Sequence, residues 1–145
     1  MATYPVFAAP GYRFEETPDL SRNETRLRLS PAAIEGFFAI LAKWHVPIET
    51  GRELLGSGRS RAGLYELKRQ HRPLSQDELM RVSFMVGIFK ALHILLPDAL
   101  ADEWMTRPND NALFGSRTPL QFILQQGIPG FREVRNLLDA ARGGQ

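Results

Sequence analysis

The sequence predicts an all-α fold in which a helix–turn–helix N-terminal unit packs on a C-terminal helical unit. Three observations carry that reading. Apolar residues recur at spacings of three and four along several segments, the period of one helix face. Ser-Pro, Thr-Pro and Ser-x-x-Glu steps stand where those segments begin, and glycine or proline stands where they end. No segment shows the sustained alternation of a half-buried strand.

Residues 1–29 carry Pro5, Pro10, Gly11 and Pro18 among Glu15, Glu16 and Asp19, with no sustained period, and are expected to form an extended arm. The first helix is expected to start at Ser30-Pro31, serine as cap and proline at the first helical position. Ile34, Phe37, Phe38, Leu41 and Trp44 then line one face, and Pro47 stops it. A short helix follows over Ile48–Leu55, ended by Gly56 in left-handed geometry. Ser57-Gly58 forms a tight connection to a third helix over about 59–69, which Pro73 terminates. Ser75 and Glu78 form a capping box. Behind it Leu79, Val82, Val86, Phe89, Leu92 and Leu96 form a long stripe that Pro97 closes, which predicts a central helix serving both halves.

Residues 98–105 predict two turns with Leu100 and Trp104 on one side. Pro108-Asn109-Asp110-Asn111 is a turn, because these side chains satisfy their own backbone. Thr118-Pro119 starts a helix that Gly127 ends. A last helix from about Gly130 presents Phe131, Val134, Leu137, Leu138 and Ala141 and runs out in Gly143-Gly144-Gln145. The expected organisation is an arm (1–29), a helix–turn–helix domain (30–74), a connecting helix (75–96) and a C-terminal domain (97–145).

Composition removes several classes of function. The chain has 145 residues and no cysteine, so disulfides, thiolate zinc sites and cysteine nucleophiles are excluded. That composition suits a reducing cytoplasm, the expected location. The N-terminus lacks a basic start followed by an apolar run, so no secretory signal is expected. No membrane span is expected either, since the most apolar stretch is interrupted by Gly87, Lys90 and His93. Nothing places His45, His71 and His93 at metal-ligand spacing. His93 reads as a satisfied core or interface residue. Asp102 and Glu103 are adjacent and point apart, which suits no acid/base pair. The glycines between 56 and 63 follow a helix and not a strand, so they are no dinucleotide or phosphate loop. No catalytic residue, metal or cofactor is expected.

Charge distribution is more informative than the total of +2. Between Arg52 and Arg72 six basic residues face Glu53 and Glu66, a local charge of +4. A basic stripe on a near-neutral chain is an electrostatic footprint for phosphate. It coincides with the two short helices and glycine-containing turn of a helix–turn–helix, whose second helix meets DNA. Ser57, Arg59, Ser60 and Arg61 stand at the start of that helix, where base edges are met. Arginine can make a bidentate contact to guanine, and serine can bond a phosphate or a base edge. Tyr65, Lys68 and Arg69 are placed for backbone phosphates. Gly63 lowers the stability of this helix.

The C-terminal stretch Trp104-Met105-Thr106-Arg107-Pro108-Asn109, then Leu113-Phe114-Gly115, then Thr118-Pro119-Leu120, resembles the toxin-binding domain of the Xre/MbcA/ParS antitoxins. The resemblance extends upstream through the capping box and the segment Gly87-Ile88-Phe89-Lys90-Ala91-Leu92 to Leu54-Leu55-Gly56 and Arg59-Ser60, covering about residues 31–144. One departure is the turn, where family members often carry an apolar residue then serine after the first glycine, and this chain has Ser57-Gly58.

The resemblance implies an antitoxin of a type II system. Its partner would be a RES-type toxin, similar in fold to ADP-ribosyltransferases and acting on NAD, whose NAD site the antitoxin obstructs. It also implies operator binding and repression of the operon. The expected toxin-binding residues are Asn109, Phe114, Arg132, Arg135, Asp139, Arg142, Gly143 and Gly144. Asn109 and Phe114 are expected chiefly to shape the domain. Arg135, Arg142 and the glycine tail are expected to approach the anionic cofactor pocket, because guanidinium forks match phosphate. A homodimer is expected, since one helix–turn–helix reads one half-site, with the apolar helix over 79–96 as its surface. The alternative reading is a stand-alone transcription regulator with a C-terminal dimerisation domain.

Overall fold

A computed structural model describes residues 18–143. Among these residues the chain is all-helical: seven α-helices, two short 3-10 turns and no strand. The α-helices are α1 (Asn23–Lys43), α2 (Ile48–Leu55), α3 (Arg61–Gln70), α4 (Gln76–Leu95), α5 (Asp98–Glu103), α6 (Pro119–Gln126) and α7 (Ile128–Gly143). The 3-10 turns, Trp104–Thr106 and Ala112–Phe114, lie between α5 and α6. No described helix is long and apolar enough to cross a membrane.

Helix α1 corrects one expectation: it begins at Asn23, and Pro31 sits inside it. Proline inside a helix withholds the N–H that the carbonyl four residues earlier would receive. Ser30, beside it, serves a different purpose from a helix cap. Its hydroxyl donates to the Arg26 carbonyl at 2.6 Å and accepts from the Leu74 N–H at 2.8 Å. The buried Ser30 therefore ties α1 to the approach of α4 instead of capping a helix. The expected arm is thus helical from Asn23 onward, and its first seventeen residues lie outside the described residues. Helix α1 ends in a Schellman-type closure: the His45 N–H donates to the Ala42 carbonyl, and the Val46 N–H to that of Leu41. His45 occupies the left-handed position, with φ 55°.

Helix α2 has its expected bounds, with Gly56 left-handed behind it (φ 73°). Helix α3 starts two residues later than expected. Ser60 is its cap and accepts from the Gly63 N–H at 2.9 Å. Gly63 therefore lies in the first turn, and not mid-helix.

Helix α4 opens with the expected capping box and is the central element. Helix α1 packs on one side and α7 on another, while α5 closes its C-terminal end. Leu79, Val82, Met85, Ile88, Ala91 and Leu92 are buried on α4. Two contact faces explain why its apolar residues spread beyond one stripe.

The C-terminal elements close around Phe114, Phe122, Phe131, Val134 and Leu138. Trp104 stands edge-on to Phe114, at 5.8 Å between ring centroids. The expected pairing of Leu100 with Trp104 is not what the core uses: Leu100 is exposed, and Ala101 and Met105 are buried. Thr118 and Gln121 form a second capping box on α6. Helix α7 begins at Ile128, and Gly130 lies within it. A Cβ on Gly130 would stand 3.2 Å from the Ile123 Cα, so glycine permits the close crossing of α6 and α7.

Candidate functional sites

The first site is the basic surface of α2, α3 and their connection. Ser57, Ser60, Arg61, Lys68 and Arg69 are exposed, and Tyr65 is exposed by 46%. Arg69 pairs with Glu66, and Lys68 lies 5.4 Å from the Phe38 ring centroid. Arg61 stands 3.9 Å from Glu49. These contacts are solvent-facing and weak, so the cations are free to exchange partners.

Arg59 is placed differently. It makes a bidentate pair with Glu78, Nε to Oε2 at 2.6 Å and Nη2 to Oε1 at 3.1 Å. The Glu78 side chain is only 1% exposed. Glu78 also accepts from the Ser75 N–H at 2.8 Å and from the Ser57 hydroxyl. Burial pushes the Glu78 carboxyl up, but the Arg59, Ser57 and Ser75 donors outweigh it and hold the group below its ordinary range. Arg59 thus anchors the turn to α4. Its distance from Glu78 in sequence hid this role, and Glu78 was legible only as a capping residue.

Arg81 is a second tie that sequence reasoning missed. It pairs with Asp77 at 2.8 Å and reaches the Leu54 carbonyl at 3.4 Å. Its guanidinium also covers Gly56, while its other nitrogen approaches Gly127. One side chain therefore holds the α2–α3 connection and lies near the α6–α7 junction.

The second site is the outer face of α7 with the turns beside it. Arg135 Nε donates to both Asp139 oxygens at 3.0 Å, and its guanidinium lies over buried Gly87 of α4. Arg142 Nη1 stands 3.8 Å from Asp139 Oδ1, so Asp139 lies between two expected contact arginines. Arg132 is exposed, with its guanidinium 5.9 Å from the Phe84 ring centroid. Asn109 is half-buried; its carboxamide oxygen accepts from the Asn111 N–H at 2.9 Å. Phe114, expected among the contact residues, is inside the core with no exposure. Gly143 is the last described residue, and Gly144 lies outside the described residues.

His93 lies between α4 and α5 with both ring nitrogens close to oxygen atoms. Its Nδ1 lies 2.8 Å from the Phe89 carbonyl and its Nε2 lies 2.9 Å from Asp102 Oδ1, joining α4 to α5. Glu103 points away, toward Arg107 at 3.5 Å. Among the described residues no group of His, Asp and Glu is arranged to hold a metal ion.

The architecture is all-helical, with a short-helix pair and a compact C-terminal helical unit both supported by α4. The family model for the antitoxin Xre/MbcA/ParS C-terminal toxin-binding domain matches residues 91–144. The chain is also similar to uncharacterized protein y4oB of Sinorhizobium fredii, 36% identical over 115 residues, spanning 79% of this chain and 87% of that protein. No solved structure matches. The chain belongs to the Xre/MbcA/ParS-type antitoxins, and its C-terminal unit is a toxin-binding domain.

Proposed function

We propose that this antitoxin blocks a RES-type, NAD-consuming toxin with the end of α7 and represses its own operon through α3. The observation that carries the toxin half is the family match over residues 91–144, together with where that segment ends. Arg142 lies on the last turn of α7, 37% exposed, with Asp139 as a loose partner at 3.8 Å. Such a guanidinium exchanges its carboxylate for a pyrophosphate or a pocket carboxylate at little cost. Arg135, half-buried and bonded to Asp139, orients this turn. Asn109 lies beside this end of α7, Arg132 offers a further exposed cation nearer the helix start, Phe114 supports the unit from the core, and Gly143 and Gly144 are the residues proposed to enter the pocket with Arg142.

Exposed cations support the DNA half. Arg61, Tyr65, Lys68 and Arg69 lie along the outward side of α3, and Ser57 and Ser60 stand at its start. Arg59 acts as a positioning residue, holding the turn to Glu78, instead of reading a base. The working unit is a homodimer within a larger toxin complex, because an operator presents two half-sites. The buried faces of α4 are used within the chain, so the second copy needs another surface. The apolar groove that Leu20, Leu29, Ala33 and Val86 leave open between α1 and α4 is the one proposed. The setting is the cytoplasm, where operator and toxin are both met.

Deleting residues 142–145 tests the toxin half. The truncated chain should still bind the toxin, yet lose most of its suppression of NAD consumption. Undiminished suppression would remove the tail from the mechanism.

A further inference from the structure

We propose that an apolar groove between α7 and the C-terminal end of α4 receives a large apolar side chain carried on a non-helical segment of the toxin. This rests on the toxin-binding reading and names the surface that would anchor it. Leu96 just after α4, Trp104, and Leu137 and Ala141 of α7 form the walls of a groove of about 350 Å³, with Asn109 and Asn111 at its rim. That volume lies at the low end of binding clefts and suits one anchoring side chain.

Three features select this occupant. First, all six residues lie inside the segment matched to the toxin-binding domain, so the groove is continuous with the expected interface. Second, the Asn109 and Asn111 carboxamide oxygens are used internally, accepting from the Asn111 and Leu113 N–H groups at 2.9 Å. Their amide NH2 groups have no acceptor among the described residues and remain available as donors at the rim. An apolar floor with two donors at its edge matches an apolar side chain flanked by backbone carbonyls. A helix would already have used those carbonyls, so the segment is a loop or an extended stretch. Third, Ala141 immediately precedes Arg142, so a toxin held at the tail covers the groove.

The test is a titration of the toxin encoded beside this chain with two α7 variants. Ala141→Trp fills the groove, while Ala140→Trp places the same bulk on an exposed neighbour outside it. The expected result is at least tenfold weaker toxin binding for A141W, binding within twofold of the parent for A140W, and unchanged thermal melting for both. Ala141→Glu, which adds charge with little volume, should weaken binding similarly and covers the case in which A141W fails to fold. Parent-like affinity in the folded groove variants overturns the groove assignment. A parent chain that fails to bind the toxin overturns the reading beneath it instead. A change in the mass of the free chain on A141W substitution, seen by light scattering, assigns the groove to a second copy and also overturns the proposal.

Discussion

Glu78 closes the capping box of α4 and, with the same carboxylate, holds Arg59 and Ser57 of the turn before α3. Removing one partner of such a pair leaves the other to find solvent, and the two partners differ in how well they can. Arg59 is 28% exposed and can turn outward; Glu78, at 1%, cannot. Arg59→Ala should therefore cost about 3 kcal/mol at neutral pH, and more than Glu78→Gln, with the double variant recovering part of the loss. The pH dependence follows from the lowered Glu78 pKa. In the parent, its contribution is complete above the ordinary value of 4.5 and is lost as pH falls through the lower folded value. Without Arg59, burial acts on the carboxyl with fewer opposing donors, so it protonates at higher pH. Urea midpoints at pH 7 and pH 4 should therefore show the R59A penalty shrinking at the lower pH. A constant penalty would contradict the pairing. The cap itself was legible, because Ser75 and Glu78 are three residues apart. The pairing with Arg59 was not, because a contact across two helices leaves no local period.

Helix boundaries were legible where the stop signal is a backbone requirement and misleading where a side chain has another use. Gly56 and Gly127 ended their helices as expected, both with positive φ. Ser30-Pro31 resembles a helix start, but the Ser30 hydroxyl is taken by Arg26 and Leu74. The end of α1 had no glycine to announce it, since His45 occupies the left-handed position. An L-residue there is strained by about 1 kcal/mol, partly offset by the greater unfolded-state freedom of glycine. His45→Gly should raise the melting temperature by about 2 °C or more, as read by circular dichroism. A lower value would mean that the His45 side chain stabilises the turn. Helix α3 carries the DNA proposal at this same scale. Binding of the chain to a duplex of its own promoter should weaken steeply with salt. Lys68→Ala with Arg69→Ala should lower the slope of log K against log salt by about 2 for each half-site bound. An unchanged slope would take α3 out of the interface.

At the scale of the whole molecule, α4 is the shared wall. The sequence announced a long apolar helix, and its surplus of apolar residues suggested a dimer surface. The structure packs most of that surplus against α1 on one side and α7 on the other, leaving Val86 at the groove beside α1 and Ile94 exposed. Periodicity shows how much of a helix is apolar but not which partner covers it, and both assignments predict the same pattern. Arg81 ties α4 to the end of α2 through the Leu54 carbonyl, and α4 packs against both α1 and α7, so the basic surface and the C-terminal unit share one supporting helix. The candidate contact residues separate along the same lines. Exposed cations on α3 and α7 were visible as charges, and Phe114 was expected chiefly to shape the domain, whereas the structural duty of Arg59 became visible only with the packing. The most direct measurement of the central claim is co-purification of this chain with the product of its neighbouring gene, followed by NAD consumption with the chain present and absent. Stable association with NAD loss suppressed is the expected result. Failure to associate, or NAD loss undiminished in the complex, would contradict the proposed mode of action.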